Sequence, residues 1–105
     1  MKREITIIIC CYNGANRIGK VLDHIYNQKN LETDVYEIIV VDNHSTDNIK
    51  DVIYRYGKVN KSMVSLRYVY EDKPGLSNAR KKGVDSCKTK WIAFLDDDNL
   101  IFQGG

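Results

Sequence analysis

Four apolar runs punctuate the chain, and stretches with helical spacing lie between them. Ile5-Thr6-Ile7-Ile8-Ile9-Cys10-Cys11 is β-branched and apolar on both alternating faces, the pattern of a strand buried on both sides, as in a parallel sheet. Tyr12-Asn13-Gly14 then signals a turn. Ile18, Val21, Leu22 and Ile25 recur at i, i+3, i+4 and i+7, which predicts an amphipathic helix ending near Lys29 or Asn30. A second buried strand is predicted over Glu37-Ile38-Ile39-Val40-Val41-Asp42. Asn43-His44-Ser45-Thr46-Asp47 follows, rich in side chains that cap helices. The next helix carries Ile49, Val52, Ile53 and Tyr56 and is expected to stop at Gly57.

Val64, Leu66, Tyr68 and Tyr70 alternate with Ser65, Arg67, Val69 and Glu71, so the third strand reads as one-sided and belongs at a sheet edge. Lys73-Pro74-Gly75 turns the chain into a third helix from about Ser77 to Cys87, with Leu76, Ala79, Gly83, Val84 and Cys87 on its inner face. Trp91-Ile92-Ala93-Phe94-Leu95 is the fourth strand and runs straight into Asp96-Asp97-Asp98-Asn99. The order β-α-β-α-β-α-β predicts an α/β, Rossmann-like three-layer parallel sheet. Right-handed crossovers are expected to place the first three strands in the order 3-2-1, and pairing of the fourth strand with the other side of strand 1 makes the order 3-2-1-4. No covering helix follows the fourth strand, so residues 1–105 are expected to form one domain truncated after the acidic loop, with its apolar face around Trp91 and Phe94 partly uncovered and prone to self-association.

Composition narrows the classes. Of 105 residues, 43% are hydrophobic and 29% charged, a globular balance rather than a disordered one. A net charge of +2, with no run of five basic residues, argues against nucleic acid as a partner. The odd count of three cysteines, Cys10, Cys11 and Cys87, with two inside an apolar run, reads as buried thiols of a cytoplasmic protein. His24 and His44 have no chelating spacing and read as surface or loop positions, which disfavours zinc. Neither a signal peptide nor a membrane span is legible in the chain, so any membrane contact falls to the missing part. Gly14 and Gly19 do not form the dinucleotide fingerprint, and no Gly-Lys-Ser/Thr occurs, which argues against nicotinamide-linked dehydrogenases and P-loop NTPases.

Ligands of open α/β sheets bind at the carboxyl ends of strands where strand order reverses, here between strands 1 and 4. The loops expected there are Cys11-Tyr12-Asn13-Gly14 and Asp96-Asp97-Asp98-Asn99, with Asp42-Asn43 beside them. Three adjacent carboxylates resist ionising together, and a hard divalent cation removes that cost by taking oxygen ligands. A solvated acidic turn would carry the same residues; the position after a buried strand at the switch point favours the metal. Asp42 and Asn43 fit a base edge or a ribose, and equally the start of a turn that helps cap the next helix. Tyr12 could stack on a base or sit half-buried at the turn. Arg80, one turn into the third helix, could pair with a phosphate or be a surface charge, whereas Lys81, Lys82, Lys88 and Lys90 read as a solvated face.

These residues resemble family 2 glycosyltransferases of the GT-A fold over nearly the whole chain. Cys11-Tyr12-Asn13 is similar to the family's Thr-Tyr-Asn turn, and Val40-Val41-Asp42-Asn43-His44-Ser45-Thr46-Asp47 to its Val-Val-Asp-Asp-Gly-Ser-Thr-Asp segment. Gly75-Leu76-Ser77-Asn78-Ala79-Arg80 resembles Gly-Leu-Ser-x-Ala-Arg, and Phe94-Leu95-Asp96-Asp97-Asp98-Asn99 the DxD element. The resemblance implies a hexosyltransferase-like enzyme with a nucleoside diphosphate sugar donor, a saccharide, lipid-linked or protein acceptor, and inversion of the anomeric centre, as in polysaccharide biosynthesis. It implies Mn²⁺ or Mg²⁺ held by Asp98 with Asp96, and donor contacts from Cys10, Tyr12, Asp42, Asn43, Arg80, Asp96 and Asp97, with Asn43 reading the base. The catalytic base is expected beyond Gly105 with the acceptor-binding half, so residues 1–105 alone are expected to be inactive. Three departures stand out: Asn43 for the second Asp, Cys10 and Cys11 for Pro and Thr, and Lys81 for the Asn after the Arg. The other reading is a non-catalytic module that binds a nucleoside diphosphate or a metal.

Overall fold

The structure is a computed structural model that describes residues 3–60 and 62–96. Its elements run β1 (Ile5–Cys11), α1 (Ile18–Tyr26), α2 (Leu31–Asp34), β2 (Val35–Asn43), α3 (Ile49–Val59), β3 (Ser65–Glu71), α4 (Leu76–Ser86) and β4 (Trp91–Asp96). All pairings are parallel and the sheet order is β3-β2-β1-β4, as expected.

Side-chain alternation along the strands divides the core in two. Ile7, Ile9 and Cys11 of β1 and Ile38 and Val40 of β2 pack with Ile18, Val21, Leu22 and Ile25 of α1 and with Ile49 and Ile53 of α3. Ile8 of β1 and Ile39 and Val41 of β2 face the other way, onto Ala79 of α4. The first two crossovers travel in one direction across the sheet and the third travels back, so right-handed connections put α1 and α3 on one face and α4 on the other. Glu37 is buried on the α4 face, where Arg67 pairs with both carboxylate oxygens at 2.8 and 3.2 Å and also donates to the Ser86 carbonyl at 2.6 Å. Two N–H donors in a fixed fork satisfy both oxygens of the buried carboxylate.

Several local expectations are corrected. α1 ends at Tyr26, three residues early; Asn27 and Gln28 amides close it onto the Asp23 and Ile25 carbonyls, and Asn30 turns left-handed at φ 67° into the unforeseen short α2. α3 runs through Gly57 to Val59, because Gly57 keeps a negative φ and the Asn60 amide closes the last turn onto the Tyr56 carbonyl. The third strand is at the edge but is not one-sided: Leu66 and Tyr68 pack on the α1/α3 face, Arg67 and Val69 face α4, and Tyr70 is exposed. On α4 only Ala79 and Gly83 are buried, with Cys87 half-buried beyond its end, whereas Leu76 and Val84 face solvent. Trp91 and Phe94 are 57% and 42% exposed. Strand alternation sends them to opposite faces of β4, so the uncovered surface is two-sided rather than one patch.

Candidate functional site at the carboxyl edge of the sheet

Register brings the predicted loops together. Cys10 pairs with Asp96 on one side of β1, Cys11 with Asp42 on the other, and Asn43 with Glu71 beyond that. Neighbouring strands lie about 4.8 Å apart, so the end of β4 and the end of β2 stand roughly 10 Å apart across β1. This edge includes the switch point between β1 and β4, where an open α/β sheet leaves a crevice. Asp96 closes β4; Asp97 and Asp98, which carry part of the donor and the main metal expectation, lie outside the described residues.

The β1 and β2 loops clip each other. Asn13, left-handed at φ 50°, accepts from the Thr46 amide at 2.8 Å and from the Thr46 hydroxyl at 3.2 Å through Oδ1, and its own amide donates to Ser45 Oγ at 2.9 Å. Asp47 accepts from the Ala15 amide at 2.9 Å and from the Ile49 amide at 3.3 Å. Asp47 therefore does more than face a helix start: one oxygen serves the α3 N-terminus and the other fixes the β1 loop. Tyr12 is held on this clipped turn and is 59% exposed. Cys10, one residue from the strand end, is half-buried on the α4 face.

Asp42 and Asn43 are 4% and 8% exposed, and alternation sends them to opposite sides of the sheet. Asp42 faces β3 on the α1/α3 side, where the Tyr68 hydroxyl donates to Oδ2 and the Ser45 amide donates to Oδ1 at 3.0 Å. Burial, and then the bond to this carboxylate, push the Tyr68 phenol well above its ordinary range, so it stays a donor. Asn43 turns toward α4. Its Nδ2 donates to the Lys73 carbonyl at 2.8 Å and to the Glu71 carbonyl at 3.5 Å, and its Oδ1 accepts from the Gly75 amide at 3.0 Å. Asp42 thus helps form the turn after β2 through the Ser45 amide, whereas Asn43 bonds the backbone between β3 and α4 and does not cap α3.

Arg80 projects from α4 with its guanidinium carbon 5.6 Å from the centre of the Phe94 ring. That stacking holds the charge beside β4, whose last residue begins the acidic run. Lys81 instead pairs with Asp85 at 3.0 Å along its own helix, in keeping with a solvated face. Three contributions escaped the sequence reading. Tyr68 looked like core, yet its hydroxyl carries Asp42. Asn13 looked like a generic turn residue. His44 adopts φ 61° where the resembled segment has Gly, a conformation His tolerates better than most side chains, and its Nδ1 lies 3.0 Å from the Tyr70 hydroxyl and 3.5 Å from Asp72. The glycine position in the segment was the available signal for that rim cluster.

No helix among the described residues is long and apolar enough to cross a membrane. Known proteins resemble this arrangement in sequence and in shape. The chain is 35% identical over 99 residues to a poly(ribitol-phosphate) beta-glucosyltransferase of Bacillus spizizenii, covering 93% of this chain and 15% of that protein. It is 27% identical over 103 residues to the poly(ribitol-phosphate) beta-N-acetylglucosaminyltransferase TarP of Staphylococcus aureus, covering 96% and 30% respectively. Across eight curated relatives the chain spans between 14% and 37% of their length. Among solved structures, the mannosyltransferase PcManGT from Pyrobaculum calidifontis, in complex with GDP-Man and Mn²⁺, superposes with a TM-score of 0.82 at 26% identity, over 93% of this chain and 28% of that one. The model of Glycosyl transferase family 2 matches residues 6–104, so the chain belongs to that family.

Proposed function

We propose that residues 1–105 bind the donor in a metal-dependent, inverting glycosyltransferase that moves a hexosyl group from a nucleoside diphosphate sugar to a saccharide, lipid-linked or protein acceptor. The observation that supports this reading most is the register that sets Asp96, Cys10, Cys11 and Asp42 side by side at the switch point. The base stacks on the exposed ring of Tyr12. Asp42 has used one lone pair on each oxygen, and a carboxylate has about four, so one remains for a ribose hydroxyl at the site's edge. Arg80, parked on Phe94, offers a planar donor fork to the diphosphate. Cys10 lines the floor between β1 and β4, and the ribose contact of the acidic run is assigned to Asp97.

The run after β4 supplies only hard carboxylate oxygens, which fit Mn²⁺ or Mg²⁺. Asp98 with Asp96 would hold the ion, which when bound neutralises the diphosphate and the charge that develops on the leaving group. The acceptor site and the base that takes the acceptor proton are assigned outside residues 1–105. Family membership argues against a non-catalytic module. Calorimetric titration of the full-length protein with nucleoside diphosphate sugars, with and without Mn²⁺, tests the reading. Tight binding that requires the ion is expected; no binding of any such donor under either condition refutes it.

A further inference from the structure

We propose that Asn43 is a positioning residue that acts through α4 and Arg80, and that it does not read the donor's base. The proposal rests on the donor-site reading above. Its carrier is the chemistry of three partners. The Gly75 amide can only donate, and the Lys73 and Glu71 carbonyls can only accept, so the side-chain amide has one orientation that satisfies all three. Three of its four hydrogen-bonding positions are thereby committed to backbone, at a residue only 8% exposed. A group that discriminates bases needs its donor and acceptor free to face the ligand.

The committed amide has a mechanical consequence. Gly75 sits at φ 120°, immediately before α4, and its carbonyl accepts the Ala79 amide at 3.1 Å, the first bond of the helix. Asn43 therefore pins the N-terminus of α4 to the carboxyl end of β2. Arg80 lies one turn into that helix and reaches the site only through the helix's placement. Aspartate, the residue the family segment carries here, would set a carboxylate oxygen against the Lys73 carbonyl where Asn43 Nδ2 now donates at 2.8 Å. In this chain the family-like residue is the disruptive one.

The test uses the full-length protein and its N43D, N43S, R80A and N43D/R80A variants, with donors that share one sugar and differ only in base. N43D and N43S are expected to raise the donor dissociation constant on the order of tenfold, by the same factor for every base. In the R80A background N43D should add little, because the group it positions is gone. A change in the ratio between bases, or fully additive losses, overturns the proposal. Should N43D not fold, the wild-type protein still decides: the Asn43 side-chain amide resonances should not depend on which base is added, and base-dependent shifts count against the idea. Amide exchange at Gly75 separates this proposal from the donor reading. Without any ligand, Gly75 should be protected in the wild type and faster in N43S, and an unprotected Gly75 sinks the clip even if donor binds. Absence of donor binding by the wild type sinks the donor reading instead.

Discussion

Two glycines in two helices should respond to alanine with opposite signs. Gly83 lies on the inner face of α4, where an added Cβ would sit 2.7 Å from Ile8 Cγ2, 3.0 Å from Ile8 Cδ1 and 3.3 Å from Val41 Cγ2. Carbon atoms rest at about 3.5–4.0 Å, so the shortfall against Ile8 is close to 1 Å. Ile8 is fully buried on a central strand with β2 and β4 on either side, and its β-branched side chain has little rotamer freedom with which to retreat. Overpacking of this kind costs about 1–3 kcal/mol, while alanine regains roughly 0.5–1 kcal/mol of helix preference. The expected net for Gly83→Ala is a loss of up to about 2.5 kcal/mol, carried by a lifted α4. Gly57, in α3, has nothing within 4 Å of the same construction. Gly57→Ala should therefore gain roughly 0.5–1 kcal/mol. Urea unfolding of both variants against the wild type reads the difference, and a domain of this size should move by about 4–8 °C in Tm per kcal/mol. Equal signs for the two variants, or a stabilised Gly83→Ala, would refute the close approach of α4 to β1.

Further outcomes follow from the site and the fold. Asp98→Ala in the full-length protein should abolish Mn²⁺-dependent donor binding by calorimetry, and an unchanged metal requirement would remove Asp98 from the metal site. Asp47→Ala should cost stability by about 0.5–2 kcal/mol, more than a helix-end charge alone, because the Ala15 amide loses its partner as well; no measurable change would count against the clip. Burial pushes the Tyr26 phenol up to about 12 from the model-compound value of 10.0. A raised folded value means the stabilisation is complete below pH 10 and is lost as pH rises from there toward 12. Alkaline unfolding should be shallower in Tyr26→Phe, and identical pH profiles would refute the assignment. Residues 1–105 expressed alone should self-associate through the uncovered β4 edge, so a monomer at all concentrations in sedimentation would contradict that expectation.

Much of the fold was legible because the signals are local. Strands buried on both faces, helices with one apolar stripe, and their alternation need only side-chain chemistry to give a parallel sheet, while the order β3-β2-β1-β4 also required the expectation that β4 pairs with the free side of β1. The convergence of the β1, β2 and β4 ends was legible for the same reason, since a switch point follows from strand order. The local bonds of Asp42 to Ser45 and of Asp47 to Ile49 were legible as turn and helix-start chemistry, but the partners Tyr68 of Asp42, Gly75 of Asn43 and Ala15 of Asp47 were not, because they lie 26, 32 and 32 residues away and are set by register and loop closure. The sequence determined which polar side chains stand at the carboxyl edge. Only the tertiary structure decided which of them are already committed to backbone, since a buried amide or carboxylate must take whatever partners packing brings within reach. It also decided which helix glycine is a close contact and which is open, because that depends on the distance from α4 to Ile8 and on no property of the helix itself.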